Sequence, residues 1–315
     1  ATSGDGNNTV YLSNSANGRL NFTVGGPTAA EGNTFHNLAR LTVLAGVLQV
    51  DAAGGSGATP AGGQINGTIQ HNTISNDAGF VNGRRAIDIQ VEADSHNLGT
   101  LSAAISDNTI NNVSKQAVHI SVVSVGGGSI TDANWTIANN HLGDTSPVGT
   151  EGNVDSGSAI EFETNVDSFT SGADTTNKLL VQNNIAVNNA NNATGATVDI
   201  TDLWGTTASG TTGVLDATIL GNTLTNNSTT GGHVLDVLNS SAGDGETLNL
   251  NVSGNNTTLG ASTAGEIRLR QLAGTFNIQG GLAAVSGNNS GDTVSTTGSF
   301  GTVASVPLPA APTAF

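Results

Sequence analysis

One phrase of residues recurs along this chain and limits its fold more than any other feature. It runs apolar, two residues, Asn, one residue, apolar, one residue, Asn. It reads Ile69-Gln70-His71-Asn72-Thr73-Ile74-Ser75-Asn76, then Ile105-Ser106-Asp107-Asn108-Thr109-Ile110-Asn111-Asn112. Ile137-Ala138-Asn139-Asn140-His141-Leu142 lacks the closing Asn. Val181 to Asn188 and Ile219 to Asn226 restore it, and Val252-Ser253-Gly254-Asn255-Asn256-Thr257 is a decayed copy. The steps between Asn72, Asn108, Asn140, Asn184, Asn222 and Asn255 are 36, 32, 44, 38 and 33 residues. Such spacing is that of a solenoid unit.

A second phrase follows each copy in the same phase. It is Ile87-Asp88-Ile89, Val118-His119-Ile120, Ile160-Glu161-Phe162, Val198-Asp199-Ile200, Leu235-Asp236-Val237 and Ile267-Arg268-Leu269. Apolar and polar residues alternate with period two, as in a strand with one buried face. Each unit therefore reads as a strand ending at Asn, a short strand beyond it, a variable loop, and the alternating strand. Three strands per unit make one coil. The expected fold is all-β: a single-stranded parallel β-helix (a β-solenoid) of about six to eight coils of roughly 32–44 residues. The repeated Asn residues sit at a bend, where Asn tolerates left-handed backbone geometry and bonds locally. Stacking would line their amides into a ladder. The stretches 124–132 and 168–177 read as loops leaving the stack.

The ends differ from the middle. Residues 1–60 carry strand-like segments (Val10-Tyr11-Leu12, Leu20 to Val24, Leu41 to Leu44, Leu48 to Val50) but no Asn phrase was found there. They read as an N-terminal cap or degenerate first coils. Residues 61–300 read as the parallel β-helix. Residues 301–315 form a tail in which Pro307, Pro309 and Pro312 forbid helix and ladder alike, read as a linker.

Composition separates function classes. The chain has 315 residues, net charge −16 and only 8 Lys plus Arg. No cluster of cations is available for phosphates, which argues against nucleic acid and anionic membrane surfaces. No apolar run reaches the roughly 18 residues of a membrane span, so membrane insertion is not expected. Cysteine and methionine are both absent. Absent cysteine fits a secreted or surface bacterial protein, and absent methionine makes Ala1 a processed N-terminus or a fragment boundary, read here as following a removed signal peptide.

The two phrases resemble the repeats of right-handed parallel β-helix proteins of the pectate-lyase-like superfamily. More closely they are similar to the β-strand repeats of large secreted bacterial surface proteins and autotransporter passengers. The stretch Glu266–Phe300, with Arg268-Leu269-Arg270 and Leu282-Ala283-Ala284, is similar to the closing segment of such arrays. The resemblance covers residues 65–300 and implies the architecture and the right-handed coil. Function does not follow from it, because this fold hosts lyases, hydrolases, adhesins and spikes.

Chemistry, if present, would lie along the polar centres of the second phrase: Asp88, His119, Glu161, Asp199, Asp236 and Arg268. At strand spacing, Glu161, Asp199 and Asp236 would be near enough to recruit a cation such as Ca²⁺, or to act as paired carboxylates. The alternative is an ordinary outward row with its charges splayed into water. Arg84 and Arg85 beside Asp88, Glu92 and Asp94 resemble the basic-plus-acidic grouping of a lyase. Lys115 is the only further cation nearby, and the polygalacturonase-type aspartate, Gly-His-Gly and Arg-Ile-Lys pattern is absent. No metal-ligand spacing links His36, His71, His96, His119, His141 and His233. Trp204, before a Gly-Thr-rich loop, is the candidate for glycan stacking, and Trp135 reads as packing. The expectation is a secreted, extracellular structural or adhesive protein without catalytic residues. It would associate with itself or with other surface proteins, with glycans as further partners. The runner-up is a polysaccharide lyase or hydrolase, or a glycan-binding module, on the same fold.

Overall fold

A computed structural model describes residues 10–15, 18–36, 46–53, 63–75, 85–94, 98–113, 115–125, 130–145, 158–167, 175–188, 195–202, 213–227, 232–240, 246–260, 265–290 and 292–313. Trp204, His96, Arg84 and the segment Leu41 to Leu44 lie outside them. The strands form three sheets, each pairing in parallel from coil to coil. Sheet A holds the alternating phrase, such as Ile87–Asp94 and Val118–Val125. Sheet B holds the strand before the ladder Asn, such as Gln64–Gln70, and sheet C the short strand after it, such as Thr73–Ser75. Sheets A and B have nine strands each and sheet C has seven. The fold is a parallel β-helix.

Seven coils are complete. The first is formed by Val10–Ser15, Arg19–Val24 and Thr34–His36, inside the region where no Asn phrase was recognised. The eighth replaces its sheet C strand with the helix Leu282–Asn288, whose Val285 is buried in the apolar column. Loops are shorter than the sequence suggests. Strand Val118–Val125 runs past residue 124 and the next begins at Ile130.

The tail packs on the β-helix. Val306 N–H donates to Gln279 Oε1 (3.0 Å), and Ala310 N–H donates to Asn134 Oδ1 (2.8 Å). Gln279 is on the eighth sheet B strand and Asn134 on the fourth. Residues 304–310 therefore run back across sheet B. Prolines lack N–H groups, and the Val306 and Ala310 amides near them are taken by side chains on the sheet.

The interior is a column of stacked side chains. On sheet B, Val24, Ile69, Ile105, Ile137, Val181 and Ile219 stand directly above one another. A neighbouring stack alternates in size: Phe22, Gly67, Ala103, Trp135. A Cβ on Gly67 would sit 2.5 Å from the Phe22 ring. Gly67 and Ala103 thus make room between two large aromatics. Trp135 is fully buried and its indole N–H donates to Asn177 (3.2 Å), so it is core.

Candidate functional site

Two sets of polar side chains are built by the coil register, one inside the wall and one on the outer face of sheet A. The first is the Asn ladder. Asn108 Nδ2 donates to Asn140 Oδ1 (3.0 Å) and its backbone N–H donates to the same oxygen (3.0 Å). Asn140 repeats both bonds to Asn184, Asn184 to Asn222, and Asn222 to Asn255. The second amide proton is also used: Asn140 Nδ2 donates to Ile105 O (2.9 Å) and Asn184 Nδ2 to Ile137 O (2.9 Å). These amides are buried and fully satisfied.

The ladder is longer than the six residues expected. Asn33 donates to Asn72 Oδ1 (2.9 Å), and Asn255 donates to Asn289 Oδ1 (2.8 Å). The backbone explanation also shifts by one residue. Positive φ falls on the residue before each of the six ladder Asn residues from Asn72 to Asn255: His71 (56°), Asp107 (56°), Asn139 (57°), Asn183 (53°), Gly221 (66°) and Gly254 (66°). These are the residue types that enter the left-handed region at least cost. The ladder Asn residues themselves are free to serve only as bonding groups.

The second set is the polar row of sheet A. The pairing places Asp88 beside His119, His119 beside Glu161, Glu161 beside Asp199, Asp199 beside Asp236, and Asp236 beside Arg268. The row is not splayed into water. Asp88, His119, Glu161 and Asp236 are between 0% and 8% exposed. At Asp88 the covering is tight: a Cβ on Gly46 would lie 2.7 Å from that of Asp88.

Buried charges must be paired, and most here are. Asp236 accepts from both Arg268 and Arg270. Its Oδ1 takes the two Nε–H groups (3.0 and 3.2 Å) and its Oδ2 the two terminal nitrogens (2.7 Å for Arg270). So enclosed, Asp236 has no lone pair left for the cation that the acidic trio suggested. At the other end Arg85 lies 3.4 Å from both oxygens of Asp88 and 3.2 Å from Gln116. Glu92 is exposed, the side chain of Asp94 lies outside the described residues, and Lys115 is partly buried.

Between these ends sit the groups with perturbed acidity. His119 Nδ1 is 2.7 Å from Asp88 Oδ1, and its Nε2 is 3.5 Å from Glu163 Oε2. Burial opposes charging the imidazole, but the Asp88 bond and the facing Glu163 carboxylate outweigh it and raise its pKa. The facing imidazole in turn outweighs burial and lowers the pKa of Glu163. Asp199 is held well above the usual carboxylate range, by burial and then by the charges of Asp236 and Glu161. Glu163, two residues beyond Glu161 and on the same face, was not singled out from the sequence. The period-two alternation Glu161-Phe162-Glu163 is the signal that would have found it.

Among the described residues, no helix is long and apolar enough to cross a membrane. No family model matches the chain, and neither a curated protein nor a solved structure matches it.

Proposed function

We propose that this chain is a structural or adhesive β-helix of an extracellular bacterial surface, of the kind built on pectate-lyase-like repeats. One observation carries the reading most. Asp88, His119 and Asp236 of sheet A are buried and held by one another or by Arg268 and Arg270, so they stiffen the wall. The unbroken apolar column and the ladder of eight asparagines support it, since both join every coil to the next. A rod of this kind resists local opening and suits a stalk, a filament subunit or a surface layer. Its partners would be copies of itself, other surface proteins or neutral glycans.

Electron microscopy of the purified chain, with a cell-surface attachment assay, tests this. The reading expects short rods that associate with one another or bind the surface. Monodisperse monomers without assembly or attachment would contradict it.

A second reading, polysaccharide hydrolysis or lysis, is favoured by Asp199 alone. Burial, and then the charges of Asp236 and Glu161, hold Asp199 well above the usual carboxylate range, the direction a general acid beside a carboxylate needs. It requires cleavage on a broad glycan panel that is lost in Asp199→Ala.

A further inference from the structure

The polar row contains one nitrogen that its own hydrogen bonds do not explain. The His119 ring is 2% exposed, yet its Nε2 has no hydrogen-bond partner. Its other nitrogen is fixed by Asp88, so Nε2 is aimed at Glu163, 3.5 Å away. That separation is at the outer limit of a hydrogen bond. Glu161 and Glu163 bring carboxylate oxygens so close that the three side chains' ligand atoms all lie within 4.8 Å of one another. It is the one such group among the described residues.

We propose that His119 Nε2 and the carboxylates of Glu161 and Glu163 bind a divalent transition-metal ion of the zinc class, joining strand Val118–Val125 to strand Ile160–Asp167. The chemistry fits in four respects. Two ligands at about 2.0–2.2 Å from zinc in tetrahedral array stand about 3.3–3.6 Å apart, which is the separation of Nε2 and Glu163 here. A metal-bound imidazole needs its other N–H held by a carboxylate, and Asp88 does this at 2.7 Å. Gln116 donates to Glu161 Oε2 and so orients a second ligand. The imidazole selects against calcium, which takes oxygen ligands. Glu163 reaches the surface with 43% of its side chain exposed, which gives the ion a path in and a water a fourth position.

The test uses the full chain, stripped with a chelator and titrated with Zn²⁺ by calorimetry, with Co²⁺ absorption as a second readout. One Zn²⁺ per chain should bind, and Ca²⁺ should neither bind there nor compete. Glu163→Gln, at a partly exposed position where folding is checked by circular dichroism, should weaken Zn²⁺ by about tenfold or more and lose the Co²⁺ bands. His119→Gln should do the same. Absence of Zn²⁺ binding by the native chain would overturn the proposal. So would undiminished binding in Glu163→Gln, which would place the metal on other histidines such as His36, His71 or His141. If His119→Gln does not fold, Glu163→Gln decides alone.

Discussion

At the scale of single residues, the chain divides labour between neighbours in each turn. The residue before the ladder adopts the left-handed backbone, and the Asn after it carries the bonds. Position along the ladder should therefore decide the cost of losing an amide. Asn140→Ala strips the acceptor from the N–H and Nδ2 of Asn108 and removes the bonds that its own Nδ2 donates to Ile105 O and Asn184 Oδ1 inside the wall. Its expected cost is on the order of 3 kcal/mol, measured by denaturant unfolding. Asn33→Ala, at the exposed N-terminal rung, should cost less than about 1 kcal/mol. Equal costs would mean that the ladder bonds contribute little.

His233 makes a prediction of the same scale. Its Nδ1–H donates to Gly265 O (2.8 Å), and burial holds its pKa below the ordinary imidazole value. Arg268 and Arg270 act in the same direction, whereas the Gly265 bond and Asp236 oppose it. The fold holds the neutral ring, so the unfolded chain takes up the proton first. This contribution is full above about pH 6.5 and is lost as pH falls toward the lowered folded value. The stability difference between native chain and His233→Gln should shrink as pH drops through that window. A difference independent of pH would contradict the assignment.

At the scale of elements, the strands were legible because their period is local. Alternation marks Ile87-Asp88-Ile89 and its five relatives without knowledge of partners, and equal phase between phrases then fixes the coil. What was not legible depended on contacts across coils. Asn33 opens a copy of the phrase, Asn33-Thr34-Phe35-His36-Asn37, but the short helix Ala29–Glu31 stands where the preceding apolar strand end belongs, so the copy lacks its opening apolar residue. Asn289 follows a helix and lacks the strand after it. The burial of the polar row could not be read either, because alternation says only which face a side chain takes. Core sizes are matched between coils in the same hidden way. Gly67→Val would drive two methyls into the Phe22 ring and should cost about 1–3 kcal/mol, seen as a lowered Tm. An unchanged Tm would show that the stack Phe22, Gly67, Ala103, Trp135 is looser than described.

At the scale of the whole molecule, a single register generates everything else. It stacks the aliphatic column, threads the ladder, and brings His119 to Glu161 and Glu163 from residues more than forty positions apart in the chain. The proposed structural role and the proposed metal site both inherit it. The register also encloses Asp236 at one end of the acidic trio, because Arg268 and Arg270 arrive one coil after it and bond both of its oxygens. Because the chain has no cysteine, the register can be measured with one engineered pair. Thr73 and Thr109 are directly stacked partners on sheet C. Thr73→Cys with Thr109→Cys should oxidise readily to a disulfide, since stacked strand neighbours lie about 4.8 Å apart, within bridging range. Thr73→Cys with Asn111→Cys, two residues out of register, should stay reduced. Equal oxidation of the two pairs, or preference for the second, would contradict the register.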